Sequence, residues 1–413
     1  MKRRQDGVPE KVPRLVSHLS PPTIRGTAAL THRAYEGAGL GALIGEIGPC
    51  GESAAEQAAF ALDLATVFQL SFRPRLAAAL QHAALAHCRV FRVGTGFAPR
   101  SAAPLRVLAL VVPGDLMTNT PLDFITAHLD VRLDLLFVLP GEGLPAEIPD
   151  HDVAFFAVSE AGPELLARLS ALFAAWPRPA LNDPARVMRL ARDEMARGMS
   201  GMAGVCVPEL VRLSRAELER SIETWPHWPA VIRPVGSHAG RDLCKIDAPS
   251  ELAPYLAATP GEAFFLARFV DYRSADGLFR KSRLVFIGNR PMLCHQAVSE
   301  HWMVHYLNAG MSEHADRRED EAHAMAAFDH GFAMRHAQAL ASVARWIGLD
   351  YAQIDCAETR DGRLLIFEAD VAAIVHLMDP PALFPYKQPQ MRRVFAAFEA
   401  LLRERVSRAR QPA

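Results

Sequence analysis

Asp355, Glu368 and Asp370 are the residues of this chain whose types and spacing most directly suggest chemistry. Asp361-Gly362 separates two strand-like runs, 352–358 and 363–370. An Asp-Gly pair between such runs predicts a two-residue hairpin, because a type I′ turn needs positive φ at both central positions. Pairing Arg360 with Arg363 then sets Asp355 across from Glu368 and Gln353 across from Asp370, so that the three carboxylates share a face. Two carboxylates about 4 Å apart repel by roughly 1 kcal/mol in water and about 4 kcal/mol at an effective dielectric near 20. A hard divalent cation offsets that repulsion, and magnesium in particular is held by one or two carboxylates together with phosphate oxygens and water. A wet acidic face, or one protonated carboxyl, meets the same demand without a metal. A slip of one residue would carry Asp355 to the opposite face.

A second constellation runs Ile232-Arg233-Pro234-Val235-Gly236-Ser237-His238-Ala239-Gly240 and continues to Lys245. Small residues let backbone N–H groups come close to an anion, and Arg233 and Lys245 bring positive charge suited to phosphate. An ordinary glycine-bearing hairpin turn is the plain alternative. The loop lacks the Gly-Lys-Ser/Thr ending of a P-loop. Arg280-Lys281-Ser282-Arg283 is a third basic group, which in isolation reads as a solvated charge run. His301 and His305 stand one helical turn apart with His295 nearby, a spacing open to zinc, but no glutamate follows His301 as HExxH requires. His376 and Asp379 lie just past the carboxylate strand.

These groups must be held by surrounding elements. Residues 1–50 are rich in Gly, Pro and Thr and read as a loosely ordered lead-in, and 53–93 as a helical hairpin broken at Arg73-Pro74. The run 105–112 predicts a buried strand, followed by a helix at 121–129, strands at 134–139 and 153–158, and a helix at 163–175, a βαβ-like pattern with a parallel sheet. No GxGxxG follows the first strand, where the turn is Pro113-Gly114-Asp115, so a dinucleotide fingerprint is missing. Beyond Asn182 the pattern changes to helices at 186–199 and 214–222, the latter capped by Ser214. Strands follow at 230–235, 264–271, 282–287, 352–358 and 363–370, with one long helix over 319–346. The expected fold class is therefore α+β with an α/β part. Its division is 1–100 for the lead-in and hairpin, 101–182 for a small α/β domain, and 183–405 for an α+β domain of two subdomains.

Composition narrows the field. The chain has 413 residues, 50% of them hydrophobic, with 45 basic against 46 acidic side chains. That is a globular profile with enough apolar material for several cores. Near-zero net charge argues against a nucleic-acid partner bound through a broad basic surface. Apolar runs fall short of the roughly 20 residues a membrane span requires. Six cysteines without CxxC spacing, and no secretory leader, lead to the expectation of a reducing cytoplasm.

In chain order these segments resemble the ATP-grasp superfamily, nearest to the glutathione-synthetase-like carboxylate–amine ligases. The resemblance runs through Asn182 with Arg192-Asp193, the loop from Ile232 to Gly240, Arg268-Phe269-Val270-Asp271, Arg283, and Asp355 with Phe367-Glu368-Ala369-Asp370. It covers about residues 105–380. It implies ATP and Mg2+ as cofactors, with Arg192, Arg233, Gly236, Ser237, His238, Ala239, Gly240, Arg268, Phe269 and Val270 at the nucleotide, and adenine against 268–270. It also implies Asp355, Glu368 and Asp370 as metal ligands and Arg283 facing the γ-phosphate and acyl phosphate. The implied reaction activates a small-molecule or peptide carboxylate as an acyl phosphate for attack by an amine. The family often has lysine at Arg233 and near Glu194, and asparagine at Asp370. A catalytically silent ATP-binding module of the same fold, or a histidine-based metalloenzyme, are the alternatives.

Overall fold

The computed structural model describes residues 12–94, 96, 101–159, 161–237 and 240–411 of the chain. The protein is a mixed α/β molecule of two compact units. One comprises 1–188, 349–351 and 370–413, and the other 189–348 and 352–369. The chain therefore returns to its first unit after the carboxylate strand, and residues 12–94 belong with the α/β part rather than standing apart from it.

In the first unit a six-stranded sheet runs in the order Thr23–Ile24, Val90–Val93, Val131–Phe137, Leu105–Val111, Val153–Phe156, Ala180–Leu181. Val90–Val93 pairs antiparallel with Val131–Phe137 and the remaining neighbours are parallel. Leu108, Ala109 and Leu110 have no exposure, as a strand covered on both faces requires. The stretch read as a lead-in carries the helices Thr27–Tyr35 and Leu40–Ile47. The helical hairpin forms as Ala54–Leu70 and Pro74–His87, and its expected last residues instead make the strand Val90–Val93. Asn182 holds 349–351 in place. Its side chain donates to the Tyr351 carbonyl and accepts from the Tyr351 N–H, both at 2.8 Å.

The second unit contains two sheets. One is antiparallel, in the order Leu210–Ser214, Ala263–Arg268, Ala230–Pro234, Cys244–Ile246. Its core is Ile232, Phe264 and Leu266 packed on Leu218 and Leu252 from the helices Arg215–Ser221 and Leu252–Ala258. Ser214 caps the first of these helices through a reciprocal bond with Glu217, as its sequence predicts. The other sheet runs Arg290–Ser299, Phe279–Ile287, Tyr351–Glu358, Leu364–Asp370, Val205–Cys206. Arg290–Ser299 was not read from the sequence. The long helix expected over 319–346 is broken into Ala315–Ala327, Phe332–Arg335 and Ala337–Ile347, the first break falling at Gly331, whose φ of −106° and ψ of −97° are not helical.

Candidate functional site

The carboxylate hairpin closes differently from its expected turn. The Gly362 N–H donates to the Thr359 carbonyl and the Thr359 N–H to the Arg363 carbonyl, each at 2.9 Å. Positive φ occurs at Gly362 (77°) and not at Asp361. The loop therefore holds three residues, and Thr359 rather than Arg360 faces Arg363. The Thr359 hydroxyl explains the shift: it accepts the Arg363 N–H at 2.9 Å and donates to the Asp361 carboxylate. In–out alternation also fails further along, where Phe367 and Glu368 are both half-buried and Arg192 donates to the Phe367 carbonyl at 3.4 Å.

Asp355 and Glu368 nevertheless belong to one electrostatic cluster. Asp355 is 3% exposed. It accepts from Arg283 at 2.8 and 3.1 Å and pairs with the Lys281 ammonium at 2.7 Å. Lys281 and Arg283 alternate on the strand Phe279–Ile287, so both reach the same side, and a bulge between Arg283 and Leu284 ends that register. Burial pushes the Asp355 carboxyl up, yet Arg283 and Lys281 outweigh it and hold the group well below the usual carboxylate range. Glu368 bonds Arg192. Burial raises the Glu368 carboxyl too, but Arg192 brings it below its ordinary value against repulsion from Asp355, with Lys281 and Arg283 assisting.

Arg233 completes the group. Its Nε donates to the Ser237 hydroxyl at 3.0 Å and another nitrogen to the Ser237 carbonyl. Burial, followed by the like charge of Arg192, lowers the Arg233 guanidinium to about 10, so it remains charged at neutral pH. Gly236 and Gly240 have φ of 79° and 73°, and a side chain on Gly236 would meet nothing within 4 Å. The space above that glycine is open. His238 and Ala239 lie outside the described residues.

Around Arg268 the same unit has a cavity of about 400 Å3, bounded by Gly201, Val205, Glu209, Val270 and Arg363. Phe269 turns elsewhere, stacking edge-on with Trp302 and lying under the Lys245 ammonium.

The other sequence candidates take up different roles. Asp370 accepts from the Ala372 and Ala373 N–H groups at 3.0 and 2.8 Å, as a local cap. Among the described residues no group of three or more His, Cys, Asp or Glu side chains stands close enough to hold a metal ion. His305 stands in the field of the cluster: burial first, then Lys281 and Arg283, lower its imidazole below the ordinary value against the pull of Asp355 and Glu368. The His295 ring packs on Tyr306. His376 accepts the Met378 N–H, while Asp379 pairs in the first unit with Lys387 at 2.9 Å. Glu194 pairs with Arg197 on its own helix. Lys281, seen in the sequence only as part of a charge run, is the main addition. The signal was its placement two residues before Arg283 on a strand.

Among the described residues the cluster has four cations, Arg192, Arg233, Lys281 and Arg283, around two acidic groups, Asp355 and Glu368. The repulsion between carboxylates is offset by protein cations, and two positive charges are left over.

No protein-family model matches the sequence, and no curated protein matches it. Among solved structures the chain is similar to the VanG D-Ala:D-Ser ligase from Enterococcus faecalis, at 12% identity and a TM-score of 0.45, covering 73% of this chain and 100% of that one. It is similar to the D-alanine–D-alanine ligase from Bacillus anthracis complexed with ATP, at 12% identity and a TM-score of 0.41, covering 74% and 98%. It is also similar to a RimK domain ATP-grasp protein from Sphaerobacter thermophilus, at 18% identity and a TM-score of 0.37, covering 73% and 99%. At these values the chain's own side chains have to carry the functional reading.

Proposed function

We propose that this chain is an ATP-grasp type ligase that uses ATP to activate a carboxylate and joins it to an amine. The observation that carries this is a surplus of half-buried positive charge among the described residues: Arg233 and Arg192 repel one another, and with Lys281 and Arg283 they exceed the two carboxylates among them. Like-charged guanidiniums kept together under an open glycine loop are a site for a polyanion. On this reading Arg192, Arg233 and the loop at Gly236 and Ser237 bind the phosphates, and the cavity beside Arg268 and Val270 takes the base. Arg283 and Lys281 neutralise charge as the γ-phosphoryl passes to the substrate carboxylate, and the amine then displaces phosphate from the acyl group. Fixed cations serve this by position alone, since they need no reorganisation as charge moves.

Bound triphosphate more than cancels the surplus positive charge, which restores the need for a divalent cation. Asp355 and Glu368 have the hard oxygen donors that Mg2+ prefers, and the ion would supply charge neutralisation at the phosphates. Substrate-dependent release of ADP and phosphate, surveyed over single amino acids as carboxylates with ammonia or hydroxylamine as the amine, tests the reading. Nucleotide binding without turnover under every pairing would replace the ligase with a silent ATP-binding module.

A further inference from the structure

The helix Ala54–Leu70 ends in a turn whose backbone favours glycine, and the residue there is Phe72. The Phe72 N–H donates to the Gln69 carbonyl at 3.0 Å and the Arg73 N–H to the Phe68 carbonyl at 2.8 Å, the paired bonds of a Schellman cap. Such a cap needs a left-handed residue, and Phe72 has a φ of 57°. Its Cβ makes that conformation costly, whereas glycine would close the same two bonds without strain. Packing of the ring does not offset the cost within the chain, since Phe72 is 90% exposed. A strained backbone that presents an unburied aromatic ring marks a contact made outside the chain.

The surroundings of Phe72 decide what it meets. Leu76, in the first turn of the following helix, is 49% exposed. Arg73 and Arg75 are exposed, and among the described residues neither has an acidic partner. No Asp or Glu stands between Asp63 and Asp115 in the sequence. Beside the cap, the helix Leu40–Ile47 packs Leu43 against Val67, with Leu70 alongside. That helix is apolar on every side, yet only Leu43 is buried, and Ala42 and Ile44 are exposed. A helix of such composition is ordinarily enclosed. Its one acid, Glu46, is held by Arg33 at 2.9 Å. This end of the first unit therefore presents apolar side chains and guanidiniums without a polar rim, whereas a protein interface surrounds its apolar centre with hydrogen-bonding groups. An anionic bilayer has the complementary order, phosphates outside and an apolar layer beneath. No helix among the described residues is long and apolar enough to cross a membrane, so the fit is to the surface. We infer that Phe72, Leu76 and the helix Leu40–Ile47 insert into the interface of an anionic membrane with Arg73 and Arg75 on its phosphates, a contact confined to the first unit and independent of the ligase reading.

The test is co-sedimentation of the full-length protein with vesicles of phosphatidylcholine, alone or mixed in equal parts with phosphatidylserine. Wild type is expected to sediment with the mixed vesicles and far less with phosphatidylcholine alone, and added salt should weaken the binding. Phe72→Gly should lower the partition coefficient by at least about tenfold, the equivalent of roughly 1.4 kcal/mol, yet melt at or above the wild-type temperature because the cap is relieved. Arg73→Gln together with Arg75→Gln should remove the preference for phosphatidylserine. Failure of the wild type to bind mixed vesicles overturns the proposal, as does unaltered binding by Phe72→Gly. A Phe72→Gly melting temperature several degrees below that of the wild type shows that the ring packs within the chain, and overturns it too. A wild-type dimer in sedimentation equilibrium that Phe72→Gly dissociates assigns this end to a second copy of the chain and overturns the membrane contact.

Discussion

Replacing Asp355 with asparagine removes the negative charge that two half-buried cations share while keeping the shape of the side chain. Asp355 is 3% exposed and its cationic partners 19% exposed at the side chain, so the ion pairs are dry and solvent screening is slight. Removing one partner of such a buried pair costs about 3–5 kcal/mol, since it leaves uncompensated charge behind. For a unit of this size each kcal/mol moves the melting temperature by roughly 2–4 °C, so Asp355→Asn is expected to lower it by about 6–20 °C. The anion-site reading adds a second effect of opposite sign. With Lys281 and Arg283 freed from their carboxylate, ATP in the presence of EDTA should stabilise the variant more than it stabilises the wild type. Differential scanning fluorimetry with and without ATP in EDTA measures both. A loss under about 3 °C, or an ATP shift no greater than in the wild type, refutes the reasoning.

The pH dependence follows the same groups. Asp355 and Glu368 titrate below their ordinary range, so the stability they contribute is present above about pH 4 and is lost as pH falls through their folded values. Asp63 has the opposite sign. Burial raises it to about 6 despite N–H bonds from Arg25 and Gly26, so its contribution is complete below about pH 4 and disappears as pH rises through 6. Asp63→Asn should flatten the melting curve of the first unit between those values, as followed by circular dichroism. Glu368→Gln is expected to reduce ADP release by at least about a hundredfold, with far-ultraviolet circular dichroism unchanged; retained turnover would count against its place in the site. Gly236→Ala meets no neighbour but must hold a left-handed φ of 79°, which costs about 1–2 kcal/mol. It should raise the KM for ATP several-fold, and Gly236→Asn, which tolerates that conformation, should recover most of the loss.

Much of the fold was legible because it is written in local patterns. The run Leu105–Val111 reads as a covered strand, Ser214 with Glu217 as a helix start, and Pro163–Ala175 as a helix within the limits the structure gives. What escaped was set by contacts distant in sequence. Arg290–Ser299 is strand only because it lies along Phe279–Ile287, with a bulge that alternation does not reveal. The hairpin turn departs from the expectation of Asp361-Gly362 because the Thr359 side chain competes for the Arg363 N–H and selects a three-residue loop. That shifts the pairing at the turn, yet Glu368 still shares its field with Asp355, Lys281 and Arg283.

The same contrast applies to the site's chemistry. Converging carboxylates require positive charge, and the sequence supports that demand without saying what meets it. In the folded chain the answer is Arg283, Lys281 and Arg192, and the first two of these came from a basic run that in isolation is most simply a solvated surface. Strand alternation decides between the two readings: Lys281 and Arg283 leave on the side of Asp355, whereas Arg280 leaves on the other and is held by Asp276 and Asp320. A run of four residues is thus divided into two salt-bridge systems by a period of two. A Lys281→Met variant should therefore weaken the Asp355 cluster and leave the Arg280 network intact.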